Sequence, residues 1–231
     1  MRRLSRERKT AGTRKLLTNR KMKHLPNILT LSRIPLMFVI VALLCLNVPS
    51  GDTFALLLFG VAALSDWLDG YLARKYAVIS NFGKLMDALT DKIIMVGLFV
   101  TLLTQPWQDN DTILPRWCVL LVMVIICREF LITGMRLVAA ANGQVLAAER
   151  AGKIKTVLQM VSVFLLLGAR ACASDWTLLW ENFLPNVDVF YIESAAQWLR
   201  DLGLWTFVAA VALTIYSGTG YLKRNWAIFT V

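Results

Sequence analysis

Six apolar stretches, each close to the roughly 20 residues that a helix needs to cross a bilayer, recur along a chain of 231 residues. They lie near residues 29–48, 53–75, 84–105, 117–141, 153–172 and 203–222. Within hydrocarbon every backbone N–H and C=O must find its partner inside the protein, so runs of this length become helices. The expected fold class is all-α, a polytopic membrane protein with six transmembrane helices. Composition agrees: 57% of residues are hydrophobic and the mean hydropathy is +0.58, too apolar for an ordinary soluble domain of this length.

The net charge of +10 is unevenly distributed. With the amino terminus in the cytoplasm, Arg74, Lys75 and Lys84 follow the second span, Arg150, Lys153 and Lys155 follow the fourth, and Lys223 and Arg224 follow the sixth. The opposite loops carry Asp52, Asp109, Asp111, Asp175, Glu181, Asp188, Glu193 and Asp201, with Arg116, Arg170 and Arg200 as the nearby cations. The positive-inside rule thus orients the chain with both termini cytoplasmic. Cations confined to loops in this way speak for a membrane and against a nucleic-acid partner.

Three regions are expected. Residues 1–24 form a basic cytoplasmic tail, read mainly as a topology determinant and secondarily as an attractor of anionic head groups. Residues 25–225 form the membrane-embedded domain. Within it residues 174–201, rich in Trp, Tyr and Phe among acids and amides, read as a non-cytoplasmic interfacial loop. Cys45, Cys118, Cys127 and Cys172 lie in or beside apolar spans without a CxxC pair, so they read as packing residues. His24 stands alone and reads as a neighbour of lipid head groups.

Four carboxylates interrupt this apolar pattern, in the order Asp66, Asp69-Gly70, Ala73-Arg74, Gly83, Asp87 and Asp91. One Asp at the centre of a bilayer helix costs roughly 2.5 to 3.5 kcal/mol, so four together call for cations to neutralise them. At about 100° per residue, Asp66, Asp69, Gly70 and Ala73 share one stripe of the second span, while Asp87 and Asp91 share a face of the third. Ser80, Asn81 and Gly83 are expected to supply the turn between them. Oxygen ligands without His or Cys select Mg²⁺ or Mn²⁺ over zinc, and two such ions would suit a bridged diphosphate.

The pattern Asp-x2-Asp-Gly-x2-Ala-Arg-x8-Gly-x3-Asp-x3-Asp resembles, without a gap, the signature of the CDP-alcohol phosphatidyltransferases. The resemblance implies that family's fold, a homodimer and two Mg²⁺ or Mn²⁺ ions. It also implies a metal-binding set of Asp66, Asp69, Asp87 and Asp91, in which Asp91 is the catalytic base taking the proton of the incoming alcohol. Asp66, Asp69, Gly70, Ala73, Arg74 and Gly83 would meet the CDP moiety. Spacing alone does not divide these roles.

Three further stretches bear on the acceptor: Pro26 to Arg33, Arg128 to Arg136, and Gly152 to Gln159. They look like the bacterial phosphatidylglycerophosphate synthases, with departures at Met86, Ala88 and Thr90 that remove no carboxylate. The implied substrates are CDP-diacylglycerol and sn-glycerol 3-phosphate, among membrane lipids and with the active site on the cytoplasmic face of a bacterial inner membrane. Arg128, Arg136, Lys153 and Lys155, with Thr30 and Arg33, are the candidate contacts to the acceptor phosphate. Lys153 and Lys155 also fit simple positive-inside anchoring, Arg33 could cap the first helix, and Lys92 reads as a snorkelling or helix-packing cation. A sister transferase using inositol phosphate, serine or phosphatidylglycerol is the nearest alternative. Intramembrane prenyltransferases and cation transporters are more distant ones.

Overall fold

The computed structural model describes residues 32–46, 48–76, 81–107, 112–143, 150–179 and 190–226, with side chains except at residues 66–76, 81–88, 91, 141, 150 and 151. The basic tail, His24 and Thr30 lie outside the described residues, as do Asp109, Asp111, Glu181 and Asp188. No strand occurs among the described residues; a single isolated bridge joins Pro106 to Thr112. The helices are α1 (Ser32–Cys45), α2 (Gly51–Tyr76), α3 (Asn81–Thr104), α4 (Cys118–Ala141), α5 (Arg150–Ala171) and α6 (Phe190–Arg224).

Each expected apolar span has a helix at its place, with informative differences. Cys118–Ala140, Gly152–Leu179 and Phe190–Arg224 are long and apolar enough to cross a membrane. In the other three helices the apolar stretches among the described residues are Ser32–Cys45, Gly51–Ser65 and Lys92–Thr104. The acid motif occupies one end of α2 and of α3. Helix α2 still has 26 residues, about 39 Å at 1.5 Å per residue. Helix α3 begins at Asn81, so Asn81 and Gly83 already belong to the helix and not to a preceding turn. Asn is a favoured residue where helices start.

The expected interfacial segment 174–201 is helical at both of its described ends. Helix α5 runs through a π-helical stretch, Cys172–Trp176, as far as Leu179. Helix α6 begins at Phe190, well before the expected 203, and its 35 residues extend about 52 Å. Continuing a helix satisfies backbone groups that a loop near the apolar layer would leave exposed.

Helix α5 is the centre of the bundle. It lies along α6 for most of its length and also touches α2 and α3, while α4 packs on α6 and α3. Gly203 permits the α5–α6 approach, since a Cβ there would lie 2.9 Å from Leu166 Cγ. Ser162 Oγ then donates to the Gly203 carbonyl at 2.9 Å, a small-residue crossing of the kind that membrane helices use. Phe99 of α3 and Phe207 of α6 meet in the middle with ring centroids 4.9 Å apart. Leu98, Leu102, Leu166 and Leu167 complete this core, and Leu120, Phe130 and Trp205 stand exposed on the outer surface. The four cysteines are all free.

The two ends of the bundle differ in charge. At one end Asp52, in the first turn of α2, receives two bonds from Arg170 of α5, Nε at 2.9 Å and a terminal nitrogen at 3.1 Å. Ser174 Oγ donates to the same carboxylate at 2.6 Å. Asp175 accepts from the Thr53 backbone N–H and hydroxyl at 2.7 and 2.8 Å. Arg200 donates to the carbonyls of Thr112 and Ile113 and lies over the Trp107 ring. Asp52, Arg170 and Asp175, expected among the outer loop charges, are thus buried and bonded within the protein.

Candidate active site

The acid motif occupies the other end. Helix α2 carries Asp66, Asp69, Gly70, Ala73 and Arg74, and α3 carries Gly83, Asp87 and Asp91. The side chains of all eight lie outside the described residues, so the structure gives the helices that bear them and not their contacts.

One residue beyond Asp91, the same helix enters the wall of a basic cavity of about 390 Å³. Lys92 of α3, Arg128 and Arg136 of α4, and Lys153 and Lys155 of α5 all line it. Among the described lining residues one carboxylate, Glu129, stands against these five cations. Glu129 accepts from Arg128 at 3.2 Å and also contacts the Lys155 ammonium directly. Arg128 reaches Ser217 Oγ at 3.0 Å with its other terminal nitrogen. Lys92 donates to Thr133 Oγ1, whose own hydroxyl donates to the Glu129 carbonyl at 2.7 Å. Arg136 lies over the Tyr221 ring, 5.5 Å from its centroid, and its Nε donates to the Tyr221 hydroxyl at 3.3 Å.

A volume of this size admits a small molecule, and its surplus of positive charge suits an anion. The arginines offer planar forks that match a phosphate, while the lysines act as point charges. Four of the expected acceptor residues, Arg128, Arg136, Lys153 and Lys155, therefore share one cavity. Arg33, fully buried near the start of α1, lines a smaller adjoining cavity together with Thr156 and Met160, and these two residues also line the basic one.

Sequence reasoning did not single out Ser217 or Tyr221, nor the wall position of Lys92, and it placed Thr133 in the Arg128 to Arg136 stretch without giving it a role. Ser217 and Tyr221 belong to the carboxy-terminal third, whose residues carry no motif. The signal available was weak: a Ser and a Tyr four residues apart near the basic end of an apolar helix.

Comparison with known proteins accords with this geometry. The CDP-alcohol phosphatidyltransferase family model matches residues 23–216, running well beyond Gln159, the end of the last motif stretch. A Bacillus subtilis protein named CDP-diacylglycerol–glycerol-3-phosphate 3-phosphatidyltransferase is 35% identical over 89% of this chain and 96% of its own length. A Rickettsia typhi protein of the same name is 32% identical over 87% of this chain and 97% of its own. A protein of Arabidopsis thaliana, the chloroplastic/mitochondrial form 1 of that enzyme, is 30% identical over 90% of this chain and 64% of its own. With an unbroken acid motif on two helices, a match over most of its length and relatives at this level of identity, the chain belongs to the CDP-alcohol phosphatidyltransferase family.

Proposed function

We propose that this membrane enzyme transfers the phosphatidyl group of CDP-diacylglycerol to sn-glycerol 3-phosphate, giving phosphatidylglycerol phosphate and CMP. The observation that carries this reading is the five-cation cavity next to the motif. Lys92 lies in its wall, and Lys92 and Asp91 are consecutive, with Cα atoms about 3.8 Å apart. An acceptor whose phosphate sits among these cations is held beside the helix that carries the last carboxylate. The names of the relatives specify the same pair of substrates.

In the reaction the alcohol oxygen bonds to the phosphatidyl phosphorus as the phosphorus–oxygen bond to CMP breaks. Asp91 takes the alcohol proton, as a general base. Gly70, Ala73, Arg74 and Gly83 receive the cytidine diphosphate, the small residues by giving it room near the backbone. Asp66, Asp69 and Asp87, with Asp91, are an oxygen-only donor set that suits two Mg²⁺ or Mn²⁺ ions. Such ions, when bound, polarise the phosphorus and neutralise the departing phosphate. Arg128, Arg136, Lys153 and Lys155, with Arg33 and Thr30, hold and orient the acceptor. We further infer that all six helices span a bacterial inner membrane, with the basic end and both termini in the cytoplasm, and that the enzyme works as a homodimer.

The deciding experiment offers the purified protein CDP-diacylglycerol with glycerol 3-phosphate, inositol phosphate, serine and phosphatidylglycerol in separate reactions, and identifies each lipid product. Phosphatidylglycerol phosphate with concomitant CMP is the expected outcome. Product formation with another alcohol and none with glycerol 3-phosphate would overturn the assignment.

A further inference from the structure

The last turns of α6 carry no part of the acid motif, yet they hold both arginines of the basic cavity. Ser217, almost fully buried, accepts from an Arg128 terminal nitrogen at 3.0 Å. The next residue is Gly218. A Cβ on Gly218 would lie 3.0 Å from Arg128 Cγ and 3.4 Å from its Nε, so the arginine stem rests directly on the α6 backbone. Such a contact is hard to relieve, because Cγ is the root of the side chain and not its mobile tip. One turn on, Tyr221 is 3% exposed and meets Arg136 with both its ring and its hydroxyl.

We propose that Ser217, Gly218 and Tyr221 form a positioning seat that sets the direction of Arg128 and Arg136 and thereby the affinity for the acceptor's phosphate. The proposal rests on the reading of these arginines as acceptor contacts. An arginine braced along its stem or at its Nε has lost much of its rotamer freedom before the substrate arrives, so less is lost on binding. With Nε of Arg136 engaged by Tyr221, the two terminal nitrogens remain as a fork for two-point contact with a phosphate. Helix packing alone would give these residues a role in stability; the seat gives them a role in one substrate's binding.

The test uses the full-length protein in lipid nanodiscs, with each substrate varied at saturation of the other. Gly218→Ala and Tyr221→Leu should raise the KM for glycerol 3-phosphate about three- to tenfold, in line with loss of one ordered hydrogen bond or its geometry. The KM for CDP-diacylglycerol should stay within about twofold on the same arithmetic. Tyr221→Phe, which keeps the ring and guards against a folding failure, should show a smaller rise of the same kind. Thr214→Val is the packing control: this buried hydroxyl bonds within α6, to the Ala210 carbonyl at 2.6 Å, and its loss should leave both KM values in place. If Arg128→Ala and Arg136→Ala raise the glycerol 3-phosphate KM while the Gly218 and Tyr221 variants do not, the seat is overturned and the acceptor reading stands. If the two arginine variants themselves leave it unmoved, the acceptor reading falls and the seat with it.

Discussion

Replacing Glu129 with Gln should weaken the protein chiefly when its cavity is empty. Glu129 is the only carboxylate among the described lining residues and contacts both Arg128 and Lys155. The side chains are largely withdrawn from solvent, 14% exposed for Arg128 and Glu129 and 4% for Lys155. At an effective dielectric of about 20, two unit charges about 3 Å apart attract by about 5 kcal/mol before desolvation is subtracted. Removing one member of a buried pair commonly costs about 3–5 kcal/mol. Gln keeps the shape and one acceptor oxygen, so a loss of about 2–4 kcal/mol is expected. For a chain of this size that corresponds to a fall in melting temperature of about 4–16 °C. The assay is thermal unfolding in detergent, with and without glycerol 3-phosphate. The added anion should recover part of the loss in the variant, because it supplies the negative charge that Gln lacks and binds the folded state only. A Glu129→Gln protein that melts with the wild type in the absence of ligand would refute the view that this carboxylate holds the cations together.

Chelator should abolish turnover and Mg²⁺ or Mn²⁺ should restore it; Asp91→Asn should cut turnover about 10²- to 10⁴-fold at saturating metal while CDP-diacylglycerol binding persists, whereas Asp66→Asn or Asp87→Asn should also weaken nucleotide binding, as read by calorimetry with CDP. At the opposite end, Arg170→Ala leaves the buried Asp52 without its cation and should destabilise the protein by about 3–5 kcal/mol; an Asp52→Asn, Arg170→Met double variant should lose much less, and equal losses in the single and double variants would argue against a coupled pair.

The legible parts of this molecule were those written locally. Apolar runs mark the helices because a membrane requires every buried backbone group to be paired within the segment. The acid motif falls on α2 and α3 because its spacing matches the helical period. Arg128 could be recognised as needing a partner because it interrupts an apolar run, and Glu129 and Ser217 supply partners. What could not be read depends on which helices become neighbours. Ser217 and Tyr221 are unremarkable within α6 until α4 packs against it, 85 to 89 positions away in sequence. The Asp52–Arg170 pair, separated by 118 positions, looked like two unrelated loop charges for the same reason. The early start of α6 was hidden by composition, since Phe190, Tyr191 and Trp198 among acids suggest an interfacial piece as readily as the first turns of a long helix.

Helix α5 has a property that neither of its ends shows alone. It contributes Lys153 and Lys155 to one pole of the molecule and Arg170 to the other. Between Lys155 and Arg170 lies about 22 Å of unbroken helix, so the angular offset between the two poles is written into the number of residues separating them. Adding a single residue there would turn one pole by about 100° against the other, withdrawing either the lysines from the cavity or the guanidinium from Asp52. The segment therefore works as a ruler and a protractor at once. Its composition can drift where it faces lipid, but its length cannot, and tolerated insertions in this chain should fall elsewhere.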